Sequence, residues 1–342
     1  MAVKLKPINE QVIVITGASS GIGLSTARMA AMRGAKLVLA ARNDEALRKL
    51  CNEIGTTGGQ CVDIAADVGN EGDVKKIAAE ALNMFGRIDT WVNNAGVSIY
   101  GELLDVPIED FKRLFDTNFW GVVYGSLTAA RSMEPNGGAI INVGSTLSDR
   151  AIPLQGMYCA SKHAVKGFTD ALRMELEHAE RPISVTLVKP SAIDTPYIQH
   201  AKNYMESQPD NPGPFYAPET VAETILHCAE NPVRDVFVGG AGKAISLVGN
   251  YAPRLSDKYM ENVMIAAQQS EDIPQNGTKE GLYTSTDSSL NERGGREGHV
   301  AESSLFTQAT LHPAVTSAVA TGAALALGAG LFYSVARRNQ AH

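Results

Sequence analysis

The sequence predicts an α/β fold, a doubly wound parallel sheet of about seven strands with helices on both faces. Three observations predict it. Short apolar runs alternate along the chain with segments of helical length. The first run, Gln11-Val12-Ile13-Val14-Ile15, is apolar and β-branched almost throughout, as expected of a parallel strand buried on both faces. It leads at once into a glycine-rich turn, Thr16-Gly17-Ala18-Ser19-Ser20-Gly21-Ile22-Gly23.

The elements follow in order. The first strand covers 11–16. Residues 21–33 form the first helix, in which Ala27, Ala30 and Ala31 allow close packing, and Gly34 ends it. The second strand is Lys36 to Ala41. Further strands are predicted near 60–65, 90–93, 139–143, 184–189 and 235–238, and helices near 44–54, 71–85, 108–132, 156–180 and 218–230. No internal repeat of fixed period is present. The opening strand–glycine turn–helix–strand unit suits a dinucleotide. Glycines let the backbone approach a pyrophosphate, and the helix start offers unpaired N–H groups at its positive dipole end. The spacing is Gly-x-x-x-Gly-x-Gly, which differs from the Gly-x-Gly-x-x-Gly fingerprint.

Tyr158 and Lys162 stand one helical turn apart on the helix near 156–180, with Ser145 thirteen residues before the tyrosine. A free phenol, with a pKa of ~10, is a poor acid–base catalyst at neutral pH. A neighbouring ammonium favours phenolate and lowers that value. A hydroxyl such as Ser145 can hold a carbonyl oxygen while Tyr158 gives it a proton. This set suits carbonyl reduction or alcohol oxidation. Ser148 is a nearby alternative hydroxyl.

Together these motifs resemble the short-chain dehydrogenase/reductase family, across residues 8 to 250 and in the family's order. Thr16-Gly17-(x)3-Gly21-Ile22-Gly23 is similar to its cofactor motif, and Asn93-Asn94-Ala95-Gly96 to its fourth-strand motif. Asn118, Ser145, Tyr158 and Lys162 match its catalytic positions, and Asp67-Val68 the pair that meets adenine. The resemblance implies a Rossmann-type sheet of order 3-2-1-4-5-6-7. It implies that Tyr158 is the general acid or base, that Lys162 lowers its pKa and holds the nicotinamide ribose, and that Ser145 orients the substrate oxygen. Asn118 would anchor a water linking Lys162 to solvent. Gly17, Ser19, Ser20, Gly21, Ile22, Gly23, Asn94, Ala95 and Gly96 would line the cofactor, with Ile193 and Thr195 at the nicotinamide amide. Ser191 departs from the usual Pro-Gly, which leaves the backbone there open.

Cofactor choice turns on the end of the second strand. Ala41 stands where NAD-using relatives often carry an acid, and Arg42 could clamp a 2′-phosphate, so NADP(H) is preferred and NAD(H) is the alternative. The aromatics between Tyr197 and Pro218 suggest either a lid over an apolar carbonyl or alcohol substrate or a loop that packs on the domain. The other functional class is a non-catalytic NADP(H)-binding sensor or scaffold. Relatives imply a homodimer or homotetramer.

With 342 residues, 44% of them hydrophobic, the chain can hold one large domain, 1–250, plus appendages. A net charge of -7 without a basic stretch gives no reason to expect nucleic acid. Cys51, Cys61, Cys159 and Cys228 have neither metal-ligand nor disulfide-framework spacing, so reduced thiols and no metal are expected. Residues 251–269 read as a further helix packed on the domain and 270–312 as a polar, flexible linker. Residues 313–338 form a candidate membrane helix, whose 314–335 carry no charge and would span about 33 Å. Met1 to Glu10 shows no apolar signal region, which suggests a cytoplasmic catalytic domain; the uncharged 314–335 is either a membrane anchor or a small-residue helix docked on the enzyme or on a subunit partner.

Overall fold

Seven strands pair in parallel in one sheet: β1 (Val12–Thr16), β2 (Lys36–Ala41), β3 (Gln60–Ala65), β4 (Thr90–Asn93), β5 (Gly138–Val143), β6 (Ile183–Pro190) and β7 (Asp235–Val238). Their order is 3-2-1-4-5-6-7, a Rossmann-type arrangement. The computed structural model describes residues 3–134, 136–270, 280–285, 289–313 and 316.

The helices are α1 (Gly21–Met32), α2 (Asp44–Thr56), α3 (Glu71–Phe85), α4 (Ile108–Phe115), α5 (Gly121–Ser132), α6 (Gly156–His178), α7 (Pro218–Glu230), α8 (Gly240–Tyr251), α9 (Pro253–Tyr259) and α10 (Leu305–Leu311). Alternate residues of a strand face opposite sides of its sheet. In β1, Ile13 and Ile15 join Leu24 of α1, Leu50 of α2 and Ile225 of α7 in one core layer. Val12 and Val14 join Ile77 of α3, Ala129 of α5 and Leu172 of α6 in the other. Every β1 residue is buried, which is why the strand carries no polar alternation.

The helix expected over 108–132 is interrupted. A π turn, Asp116–Trp120, lies between α4 and α5 and carries Asn118. Past β7, α8 and α9 continue through a second π turn, Met260–Met264, and end at Ala267, close to the helix expected over 251–269.

Two expectations are corrected. The polar stretch 270–312 is not a loose linker where it is described. It runs back over the C-terminal edge of the sheet, pairs Val300–Ala301 with Phe215–Tyr216, and ends in α10, which buries Leu311 and Thr307. Polar composition hid this because the attachment rests on a few buried side chains, Leu282, Thr307 and Leu311, and on the backbone pairing of Val300–Ala301. Nor are all thiols free. The turn at Thr57–Gly59 folds α2 back along β3 and joins Cys51 to Cys61, with their Cα atoms 5.2 Å apart, while Cys159 and Cys228 are buried free thiols. Among the described residues no helix is long and apolar enough to cross a membrane. The candidate segment 314–335 lies, apart from Thr316, outside the described residues.

Candidate active site

The glycine turn sits at the C-terminal end of β1, at the point where the strand order reverses between β1 and β4. Gly17 has φ of 66°, in the left-handed region. A Cβ on Gly23 would lie 2.2 Å from the Gly17 carbonyl oxygen, so only glycine permits this packing. The end of β4 braces the turn. Asn94 donates its side-chain amide to the carbonyls of Thr16 (3.0 Å) and Gly17 (3.2 Å), and the Thr16 hydroxyl accepts from the N–H groups of Asn94 and Ala95. The side chain of Asn94 is therefore committed to holding the cradle.

Beside the turn lies a cleft of about 190 Å³. Of the residues expected to meet a dinucleotide, Gly17, Ser19, Ser20, Gly21, Ile22, Arg42, Asp67, Val68, Asn94, Ala95, Gly96 and Thr195 line it, and Gly23 supports the turn from behind. The residues fit the group: a glycine cradle, a helix start and a strand end without an acid at Ala41 converge there. Arg42 lines the cleft at the end of β2. Its guanidinium donates to the carbonyl of Leu282 (3.1 Å) and to that of Gly281. The Asp67 carboxylate pairs with Arg113 at 2.5 Å. Gly281 and Leu282 belong to the C-terminal stretch, and nothing in their local sequence marks them for this place.

The second constellation gathers from three elements. Ser145 caps the short turn after β5, and its hydroxyl accepts from Leu147 N–H at 3.0 Å. Ser148 stands behind it and accepts from Ser145 N–H at 3.1 Å, which makes it a support. Lys162 on α6 donates to the Val143 carbonyl (2.9 Å), with its ammonium 5.7 Å from the Tyr158 ring centre. Asn118 accepts from Val97 N–H (2.8 Å) and donates to Val97 C=O (2.9 Å) and to Ser161 (3.3 Å). Its side chain pins the π turn to the loop after β4.

Electrostatics also differ from expectation. Burial pushes the Tyr158 phenol up to about 12, against the opposing hydrogen bonds from Tyr197 and Ser145. Burial pulls the Lys162 ammonium down to about 8. Desolvation therefore outweighs the lowering of the phenol that the tyrosine–lysine spacing suggested. Burial also pushes the Cys159 thiol up to about 11, consistent with a packing role.

Tyr197, one of the aromatics of the expected lid, packs directly against Tyr158. Its ring meets that of Tyr158 edge-on at 5.6 Å, and its hydroxyl lies 2.8 Å from Ser98 Oγ and 3.0 Å from Gln155 Oε1. No sequence spacing reports this contact. Other aromatics of the stretch pack inward: Phe215 is buried under the Arg296 guanidinium, 3.7 Å from its ring centre.

A second cavity, about 770 Å³ and lined mainly by apolar side chains, begins at Ser145. The two cavities share Ile22, Thr195 and Tyr197 as lining residues; Tyr158 and Lys162 line neither, and Tyr158 reaches this junction through its ring contact with Tyr197. Ile193 forms a two-residue strand with Ala192 beside Phe215–Tyr216. Ser191 needs no glycine, because its φ is not positive, and its hydroxyl donates to Val238 C=O at 2.8 Å.

The family model of the short chain dehydrogenases matches residues 11–206. An uncharacterized oxidoreductase of Bacillus subtilis, YxnA, is 48% identical over 322 residues, 93% of this chain and 90% of its own. The 11-beta-hydroxysteroid dehydrogenase A of Sesamum indicum is 39% identical over 55% of this chain and 54% of its own. Among solved structures, a short-chain type dehydrogenase/reductase of Mycobacterium marinum superposes with a TM-score of 0.61 at 31% identity, over 69% of this chain and 96% of its own. An alcohol dehydrogenase of Thermococcus sibiricus, complexed with 5-hydroxy-NADP, does so with a TM-score of 0.59 at 26% identity, over 67% and 95%.

Proposed function

Because the chain belongs to the short-chain dehydrogenase/reductase family, we propose that it interconverts a bulky apolar carbonyl compound and its alcohol with NADP(H), through Tyr158. The enzyme is an oxidoreductase of CH–OH and C=O groups that uses a nicotinamide cofactor. The observation that carries the finer reading is that the glycine-cradled cleft and the apolar cavity share Ile22, Thr195 and Tyr197, with Ser145 in the wall of the cavity and Tyr158 packed against Tyr197.

Hydride transfer is the chemistry that the nicotinamide supplies when bound. In reduction, the Tyr158 hydroxyl gives its proton to the substrate oxygen; in oxidation the phenolate takes it back. Ser145, at the mouth of the large cavity, donates to the same oxygen and holds the developing charge. Lys162 steadies the phenolate from one turn away and offers the remaining ammonium hydrogens to a ribose. Asn118 acts at a distance, by fixing the π turn against Val97.

Support for an apolar substrate comes from Leu147, Ile152, Ile245, Val248, Met260 and Met264 in the cavity wall, and from the hydroxysteroid dehydrogenase among the relatives. Support for NADP(H) comes from the absence of an acid at Ala41, from Arg42 in the cleft and from the NADP analogue in the Thermococcus structure. Association into a homodimer or homotetramer is supported by Trp120 and Met174, 43% and 61% exposed near the π turn and on α6; light scattering tests it. Membrane tethering by 314–335 rests on its uncharged sequence, and liposome flotation tests it.

The test is NADPH consumption by the full chain with aldehydes, ketones and lipophilic keto compounds, beside Tyr158→Phe. The variant should lose turnover by about 10²–10⁴-fold and keep its NADPH affinity. Retained turnover would refute the role of Tyr158.

A further inference from the structure

We infer that the C-terminal stretch is the outer wall of the dinucleotide cleft, so that the bound nicotinamide cofactor is enclosed between the glycine turn and residues 280–285 and 289–294. The inference rests on the cofactor reading above and extends it to residues outside the family's matched region of 11–206.

Three attachments follow the length of the cleft. At the end nearest β2 and β3, Leu282 C=O accepts from both Arg42 and Arg113 at 3.1 Å, while its fully buried side chain packs with Val97 and Phe111. In the middle, Asn291 C=O accepts from the N–H of Gly21, the first residue of α1, at 2.9 Å. Next to it, the Glu292 carboxylate pairs with Arg28 at 2.5 Å and accepts from Ser25, both on α1. At the end nearest β6, Gly294 N–H donates to Asp194 at 3.1 Å, and Gly294 C=O accepts from Gln199 at 2.6 Å.

The stretch walls the cleft and does not plug it. Gly281 and Ser285 line the open space opposite the glycine turn. At the start of α1 it takes one donor, Gly21 N–H. The N–H groups of Ile22 and Gly23 have no protein acceptor among the described residues. Those two are left for an anion at the helix start. A plug would have satisfied all three. Arg42 is likewise held by carbonyls at the cleft wall, which fixes a long, otherwise mobile cation where a phosphate would reach it. Enclosure of this kind requires the stretch to open before the dinucleotide leaves.

Hydrogen–deuterium exchange of the full chain, with and without saturating NADPH, tests this directly. Enclosure predicts that amides of 281–285 and 290–294 exchange at least about fivefold more slowly with NADPH, as expected of opening suppressed by ligand. Faster exchange there would identify a competing plug, and unchanged exchange would place the stretch outside the site; either result overturns the inference. Glu292→Ala, which removes the clamp on α1, should speed NADPH release in stopped-flow fluorescence by roughly tenfold, the equivalent of one lost charged hydrogen bond. An unchanged release rate also overturns it. A native chain that binds neither NADPH nor NADH would refute the cofactor reading itself, whereas binding without protection refutes the enclosure alone.

Discussion

At the scale of single residues, the site is a balance between burial and local partners. The Tyr158 phenol sits at about 12 because desolvation exceeds the help it receives from Tyr197 and Ser145. Removing the Tyr197 hydroxyl takes away one of those partners, so Tyr197→Phe should make the phenolate harder to form. In alcohol oxidation, the basic rise of kcat/KM should move to higher pH, and the rate at pH 8 should fall by about three- to tenfold, the worth of one hydrogen bond. A lower rate with an unmoved pH profile would assign Tyr197 a packing role only. Lys162 makes the opposite trade. Burial lowers its ammonium to about 8, against an unfolded value of ~10.4. Between these values the unfolded chain holds a proton that the folded chain has released, so this group's opposition to folding is complete below pH 8 and fades as pH rises. Lys162→Met removes that term. Its stability relative to the native chain should therefore decline by about 2 kcal/mol between pH 7.5 and 9.5, read from urea melts at each pH. A constant difference would show that the ammonium is not desolvated. The residues Ser145, Tyr158 and Lys162 were legible in the sequence because one helical turn and one short loop fix their spacing. Tyr197 was not, because its approach depends on how a loop after β6 folds back over α6.

At the scale of elements, legibility followed the mechanism that forms each one. The seven strands were readable because burial on both faces demands unbroken apolar runs, as in β1 and β2. The glycine turn was readable because Gly17 and Gly23 meet steric conditions that no other residue meets. The π turn at Asp116–Trp120 was not readable, since it preserves helical composition and shifts only the hydrogen-bond register. What holds it is the Asn118 amide, which satisfies both the N–H and the C=O of Val97 in a fully buried setting. Asn118→Ala leaves both groups unpaired, at a cost of roughly 2–4 kcal/mol. The melting temperature should drop by about 4–12 °C, and turnover should fall with it, because the same loop carries Ser98 against Tyr197. A variant that loses turnover with an unchanged melting temperature would point instead to a direct chemical role for Asn118.

At the scale of the whole molecule, the C-terminal stretch decides whether the chain is a domain with a tail or one cooperative body. Its composition suggested a tail, since it is polar and carries few large side chains. Composition misled because the stretch is held by a small number of well-placed groups: Leu282 and Thr307 fully buried, Leu311 nearly so, and Val300–Ala301 added as a strand beside Phe215–Tyr216. Exposed pairs such as Arg293 with Glu219 and Glu302 add little to this, because solvent and salt screen them. Attachment by burial predicts insensitivity to salt. The full chain should show one calorimetric transition shared by the sheet and the described parts of this stretch, with calorimetric and van't Hoff enthalpies in agreement, in low salt and in 1 M NaCl alike. Leu282→Ala should lower that single transition by removing about 2–5 kcal/mol of packing, because its side chain lies in the same cluster as Tyr158. A separate low-temperature transition, or one that appears only in high salt, would mean that the stretch docks through its ion pairs and can leave while the sheet stays folded. In that event cofactor retention would become a function of ionic strength, and the wall of the cleft would be an optional part of the enzyme.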